Sequence, residues 1–239
     1  MESQALAAKP HDHGKPEQGR VVGHSAVVCS PRSDAPGASG SEQARPDAEL
    51  RDHAWQPRLV VLFSGHRVDE PGRATPRFPL EKVPIAEAAI GQALHRIGAG
   101  PGDLALTQGA SGGDLIFAEA CLTRGIRLQL LQPFPEAEFI QRSVTPSAGD
   151  WGARYRAVTA KLSDPVRCLQ EHGPSDADPY ERCNLWLLDT ALAFGPERVR
   201  LLCLWDGGGG DGPGGTRHMV QEVQKRNGQV IWLDTRTLW

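Results

Sequence analysis

No stretch of this sequence approaches the roughly 20 consecutive apolar residues that cross a bilayer, and its N-terminus lacks the charged-then-apolar layout of a secretory signal. Both absences lead to the expectation of a soluble, cytoplasmic protein with no membrane partner. An excess of cations is missing too: 26 Lys and Arg stand against 29 Asp and Glu, a formal charge of −3. That balance supplies no broad basic surface on which counterion release could drive binding, so nucleic acid is not an expected partner. The cysteines Cys29, Cys121, Cys168, Cys183 and Cys203 are odd in number, scattered and without a C-x-x-C pair, which argues against a disulfide framework or a zinc site. Reduced thiols are expected, four of them in or near the core. Also absent are a Gly-x-Ser-x-Gly elbow, a His-Glu-x-x-His pair, the Gly-Lys-Ser/Thr ending of a Walker loop, and any internal repeat.

Residues 1–55 have little that could form a core. They are rich in Pro, Gly, Ser, Ala and charge, a composition that buries too little surface to offset ordering entropy, and they are read as a disordered tail. His11-Asp12-His13 lies in this tail and is not taken as a metal site, and no cofactor is required by any motif. Residues 56–239 are read as one domain. Leu59 to Phe63 is a continuous apolar run of strand length. Val83, Ala86, Ile90, Ala93, Leu94 and Ile97 then recur at helical spacing, followed by Gly98. A strand at 104–107, a helix at 115–124 closed by Gly125, and a strand at 126–131 follow with short links. Helices are expected at 135–144 and 151–162, a weaker strand at 166–169, and a helix at 179–194. A strand at 199–205, a helix at 216–226 and a last strand at 229–233 complete the series. Strands alternating with helices predict an α/β, Rossmann-like three-layer sandwich, with a mostly parallel sheet and helices on both faces.

In such sheets ligands bind beyond the carboxyl ends of the strands, where helix N-termini point free N–H groups outward. Three segments belong there. Gly109-Ala-Ser111-Gly112-Gly113-Asp114 leads into a helix, and its glycines would let the backbone approach a phosphate. Asp114 would repel that phosphate, so it is read as a cap or as an acceptor for a ribose or base. Asp206 to Thr216 has seven glycines in eleven residues, with Gly214 and Gly215 before a Thr216 suited to cap the next helix. Ser64-Gly65-His66-Arg67-Val-Asp69, with Arg77 behind it, supplies phosphate donors and a carboxylate for a sugar hydroxyl. His66 is either a general base or, with Arg67, a tie holding the loop.

Nothing forms a nucleophile, base and orienter set. Glu119 and Glu222, on the helices that follow two of the glycine loops, are the carboxylates best placed to face a bound sugar, and a solvated helix face explains each about as well. Trp151, Tyr155, Trp186 and Trp232 fall on helices and a strand and are read as packing residues.

The pattern from Leu59 to Asp234 resembles the SLOG superfamily of Rossmann-like domains, which is related to the cytokinin-activating phosphoribohydrolases and the DNA-processing protein A fold. The resemblance rests on Ser64-Gly-His-Arg with Arg77-Phe78, Gly109-Ala-Ser-Gly-Gly-Asp114 with Glu119-Ala120, Leu131-Gln-Pro-Phe134 with Phe139 and Ser143-Val144, and Pro213-Gly-Gly-Thr216. It is greatest to a branch that accompanies bacterial signalling modules, and implies a nucleotide-derived ligand, bound or sensed, with a signalling protein as partner. Domains of this kind often pair as homodimers through helices. The phosphoribohydrolases carry Pro-Gly-Gly-x-Gly-Thr-x-x-Glu, whereas this chain has Pro213-Gly-Gly-Thr-Arg-His-Met-Val-Gln-Glu222. The second half departs from the pattern, which weakens the case for N-glycosidic hydrolysis but leaves Gly214-Gly215-Thr216 as a phosphate cradle. Three functions stay open at this point: a nucleotide-binding or sensory domain, a nucleotide N-glycosidase, and an interaction module without a ligand.

Overall fold

The computed structural model describes residues 26–28, 55–169, 178–209 and 214–239. Strands β1 (Ala26–Val28), β2 (Val60–Gly65), β3 (Leu104–Thr107), β4 (Arg127–Gln132), β5 (Arg167–Leu169), β6 (Val199–Trp205) and β7 (Gln229–Asp234) form one sheet in the order β1-β5-β4-β3-β2-β6-β7. From β5 to β7 every neighbouring pair is parallel, and β1 adds antiparallel to the β5 edge. The helices are α1 (Val83–Arg96), α2 (Gly113–Thr123), α3 (Glu136–Phe139), α4 (Trp151–Thr159), α5 (Pro179–Leu192), α6 (Thr216–Lys225) and α7 (Thr235–Leu238). This is the expected Rossmann-like three-layer sandwich.

Central strands buried on both sides need apolar residues at every position, and β2 shows the consequence. Val61 and Phe63 enter the layer that holds α1, α2 and α4, whereas Val60 and Leu62 enter the layer that holds α5 and α6. Phe63 stacks on Phe117 of α2 at 4.8 Å between ring centres. Helix α2 is buried nearly all round, with Leu115, Ile116, Phe117, Ala118 and Cys121 inaccessible, because it lies between α1 and α4 as well as against the sheet. Helix α6 buries only Thr216, Met219 and Val223, the stripe expected of a helix with one face on a sheet.

The chain runs outward from β2 through β3 and β4 to β5, and α5 then carries it back beneath β4, β3 and β2 to β6 on the other side. The order therefore reverses between β2 and β6. That reversal splays the loops after these strands apart and leaves a crevice at their carboxyl ends.

Several details differ from the sequence expectations. The β1 strand lies inside the stretch read as a disordered tail, and the rest of that stretch up to residue 54 falls outside the described residues. Trp55 packs edge-on to Phe194 and lies under the Arg127 guanidinium. The expected helix over 135–144 is α for four residues and continues as a π-helical turn over Ile140–Val144. Trp151, Tyr155 and Trp186 are core residues as expected, but Trp232 is 47% exposed, because it sits on the sheet's edge strand. Cys121, Cys183 and Cys203 are buried free thiols, whereas Cys168 is disulfide-bonded, which corrects the expectation that all thiols are reduced.

Candidate functional site

A cleft of about 360 Å³ occupies the crevice where the strand order reverses, beyond the ends of β2, β3 and β6. All three sequence-selected loops reach it, but they do so in different ways.

The loop after β2 is tied down on every side. His66 donates its amide to Leu204 O, accepts Gly113 N–H at its carbonyl, and accepts the Asp206 amide at Nε2 at 3.1 Å. A nitrogen that accepts cannot carry a proton, so His66 is neutral here; burial lowers its pKa, and the nearby Arg77 adds to this while the Asp206 carboxylate opposes it. Nε2 also lies 3.3 Å from Asp206 Oδ1, a contact that would be an ion pair only with a protonated ring. The amide bond, made with the neutral ring, agrees better with the burial. Of the two roles considered for His66, the tie is the one its contacts describe. Arg67 donates to Arg142 O and to Glu70. Asp69 accepts the amides of Arg77 and Phe78 at 3.0 Å, closing the loop on itself rather than facing a ligand. Gly65 has the Phe63 ring and Leu204 within 3.1 Å of where a Cβ would stand. Ser64 and Arg77 line the cleft.

The glycine loop after β3 gives most of its amides to protein partners. The Asp114 carboxylate accepts from Gly109 and Ala110, Ser111 N–H goes to Ser143 O, and Gly113 N–H goes to His66 O. The Ser111 hydroxyl pairs with that of Ser147. Gly112 has φ +80, and a Cβ there would stand 2.5 Å from the Val68 nitrogen. Its glycine serves the close approach of two loops, and Gly113 likewise leaves room for the Phe63 ring. Asp114 itself lines the cleft. Burial raises its pKa to about 6, against the hydrogen bonds from the Gly109 and Ala110 amides that stabilise the ionised form.

The loop after β6 behaves differently. Asp206 accepts Gly208 N–H at 2.7 Å; burial alone would raise its pKa, but this bond and the charge around it hold the carboxyl low. Gly214, Gly215 and Thr216 line the cleft, and Gly215 is the N-cap of α6 with no side chain to cap its amides. The first amides of a helix have no partner within it. Those of Thr216, Arg217 and His218 have no hydrogen-bond partner among the described residues. By contrast, α5 is capped by Asp178, whose carboxylate accepts from Tyr180 and Glu181. The Ser64 hydroxyl reaches Thr216 Oγ1 at 3.2 Å, so two hydroxyls stand beside the uncapped amides.

Gln108, Asn184, Tyr180, Ser143 and Asp178 also line the cleft. None of the five was chosen as a binding residue from sequence, although signals existed. Gln108 directly follows β3. Asn184 is a lone polar residue on the helix face that buries Cys183, Leu187 and Leu188, and is itself only 3% exposed.

Neither sequence-chosen carboxylate lines the cleft. Glu119 is paired with Arg154, which also reaches Glu87 at 3.0 Å and stacks over Trp151. Glu222 is paired with Lys225 at 2.7 Å and with Arg226. Among the described residues there is no cluster of His, Cys, Asp or Glu suited to hold a metal, and no helix long and apolar enough to cross a membrane. No family model matches this chain, and no curated protein matches it.

Proposed function

We propose that the cleft between β2 and β6 binds a nucleotide-derived, phosphorylated small molecule, with a phosphate at the N-terminus of α6. The observation that carries this reading is the contrast among the three helices whose first turns border the cleft. Helix α5 is capped by Asp178, and the first amide of α2 is taken by His66 O, whereas the opening amides of α6 have no partner among the described residues. Free amides at a positive dipole end attract an anion. Thr216, whose oxygen accepts from the Ser64 hydroxyl, adds a hydroxyl donor, and Arg77 lines the same cleft with a positive charge. Gln108, with a side-chain carbonyl that has no partner among the described residues, also lines the cleft and suits a hydroxyl of a sugar or the polar edge of a base.

This reading keeps the Gly214–Thr216 half of what the SLOG resemblance implies and transfers the Gly109–Gly113 half from phosphate binding to loop packing. Binding or sensing is favoured over N-glycosidic cleavage, because Glu119 and Glu222 are ion-paired away from the cleft lining. A cytoplasmic setting beside a signalling protein accords with it.

Thermal unfolding of the full chain against AMP, ADP, ATP, NAD, ADP-ribose and cyclic nucleotides tests the reading. A ligand at a hundredfold over its dissociation constant adds about 2.7 kcal/mol, and several degrees in Tm. The shift should shrink in Arg77→Met and Thr216→Val. No shift with any compound removes the reading.

A further inference from the structure

Asn184 is nearly inaccessible, yet both ends of its amide are used by partners from separate segments. Its Oδ1 accepts from Gln108 Nε2 at 2.9 Å, and its Nδ2 donates to Gly214 O at 2.5 Å. Turning the amide over would set N–H against N–H and carbonyl against carbonyl, so the two opposite partners lock its orientation. Gln108 is anchored in turn, because its backbone carbonyl accepts from Gln132, whose side chain is held by the Tyr155 hydroxyl.

The Gly214 carbonyl belongs to the peptide plane that also carries the Gly215 N–H. In a planar trans peptide these two groups point in opposite directions. Drawing the carbonyl toward Asn184 therefore aims the Gly215 amide away from α5 and sets the angle at which α6 begins. Gly214 is pressed on the same side by backbone: at φ +74, a Cβ would stand 2.5 Å from the Glu181 nitrogen. The Gly214 peptide is thus held by the Asn184 hydrogen bond and by a close backbone contact with α5.

We propose that Asn184 is the positioning residue of the Gly214–Thr216 anion cradle, and that Gln108 couples it to a ligand group bound elsewhere in the cleft. Gln108 lines the cleft, and its side-chain carbonyl has no hydrogen-bond partner among the described residues. A ligand donor that engages it steadies Gln108, then Asn184, then the cradle. The coupling rests on the anion site proposed above; the positioning by Asn184 does not.

The experiment uses the full chain with Asn184→Leu, Gln108→Leu and the double variant, and Asn184→Asp as a near-isosteric replacement that keeps the Gln108 bond but cannot donate to Gly214. Backbone ¹⁵N relaxation without ligand reads the positioning. In either folded Asn184 variant, order parameters at Gly214–Arg217 should fall from about 0.85 toward 0.6 or below, with those in β2 and β3 unchanged. Titration with inorganic phosphate reads the coupling. Asn184→Leu should weaken binding about tenfold, and Gln108→Leu should weaken it in the wild-type background but not in the Asn184→Leu background. Wild-type order parameters at the cradle in both Asn184 variants overturn the positioning, and additive losses in the double variant overturn the coupling. Phosphate that fails to bind the wild type refutes the anion site and the coupling built on it, while the relaxation data still decide the role of Asn184.

Discussion

Ionising Asp114 inside the fold is costly, because its carboxyl is buried and the hydrogen bonds from Gly109 and Ala110 offset the loss of water only in part. A rise in pKa from the ordinary 3.8 to about 6 corresponds to about 3 kcal/mol. Because the folded value is raised, the native state binds the proton more tightly than the unfolded chain. The stabilising contribution of the protonated form is present below about pH 4 and is lost as pH rises through about 6. Asp114→Asn keeps a carbonyl oxygen for the two amides and cannot ionise. At pH 8 the variant should be more stable than the wild type by about 1–3 kcal/mol, the lower figure allowing about 1–2 kcal/mol for the second amide hydrogen-bonding group it introduces. At pH 4 that advantage should vanish or reverse. Urea unfolding of both proteins from pH 4 to 8 measures it, and the difference between them cancels the titration of every other group. A difference that stays flat across this range would refute the burial argument.

His66 titrates in the opposite sense. Its folded pKa is lowered, so its contribution is present above the unfolded value near 6.5 and is lost as pH falls through the folded value. His66→Gln should therefore lose less stability than the wild type between pH 7 and 5 by urea unfolding. Gly112→Ala meets both a positive φ and a Cβ placed 2.5 Å from backbone, and should cost more than about 2 kcal/mol by the same assay, with no dependence on ligand. Phe63→Ala removes a ring stacked on Phe117 at the centre of the sandwich and should cost about 3–5 kcal/mol. Glu119→Gln should change stability by less than about 1 kcal/mol, since its ion pair is part-exposed, and should leave the nucleotide-induced rise in Tm untouched. Loss of that rise would return Glu119 to the site.

The alternation of strands and helices, the strand after Arg58 and the helix from Thr216 were all legible in the sequence, because each rests on local periodicity and on turn residues that act within a few positions. The place of the cleft was legible as well, since parallel strands send their loops to one end. The role of each glycine was not. Gly112 and Gly214 are each followed by a second glycine at the start of a helix, and both take a positive φ. Both bring backbone against backbone there, yet the first amide of α2 is taken by His66 O, whereas those of α6 have no partner among the described residues. That difference depends on which backbone lies opposite, and so on the order of the strands. Nor could the sequence show that Asp69, Asp114 and His66 are consumed by neighbouring amides, or that Asn184, 76 residues from Gln108, joins it to Gly214. Local chemistry determined which elements form and where they end. The tertiary structure alone decided which polar groups are left for a ligand, because a donor is free only when folding brings no acceptor to it.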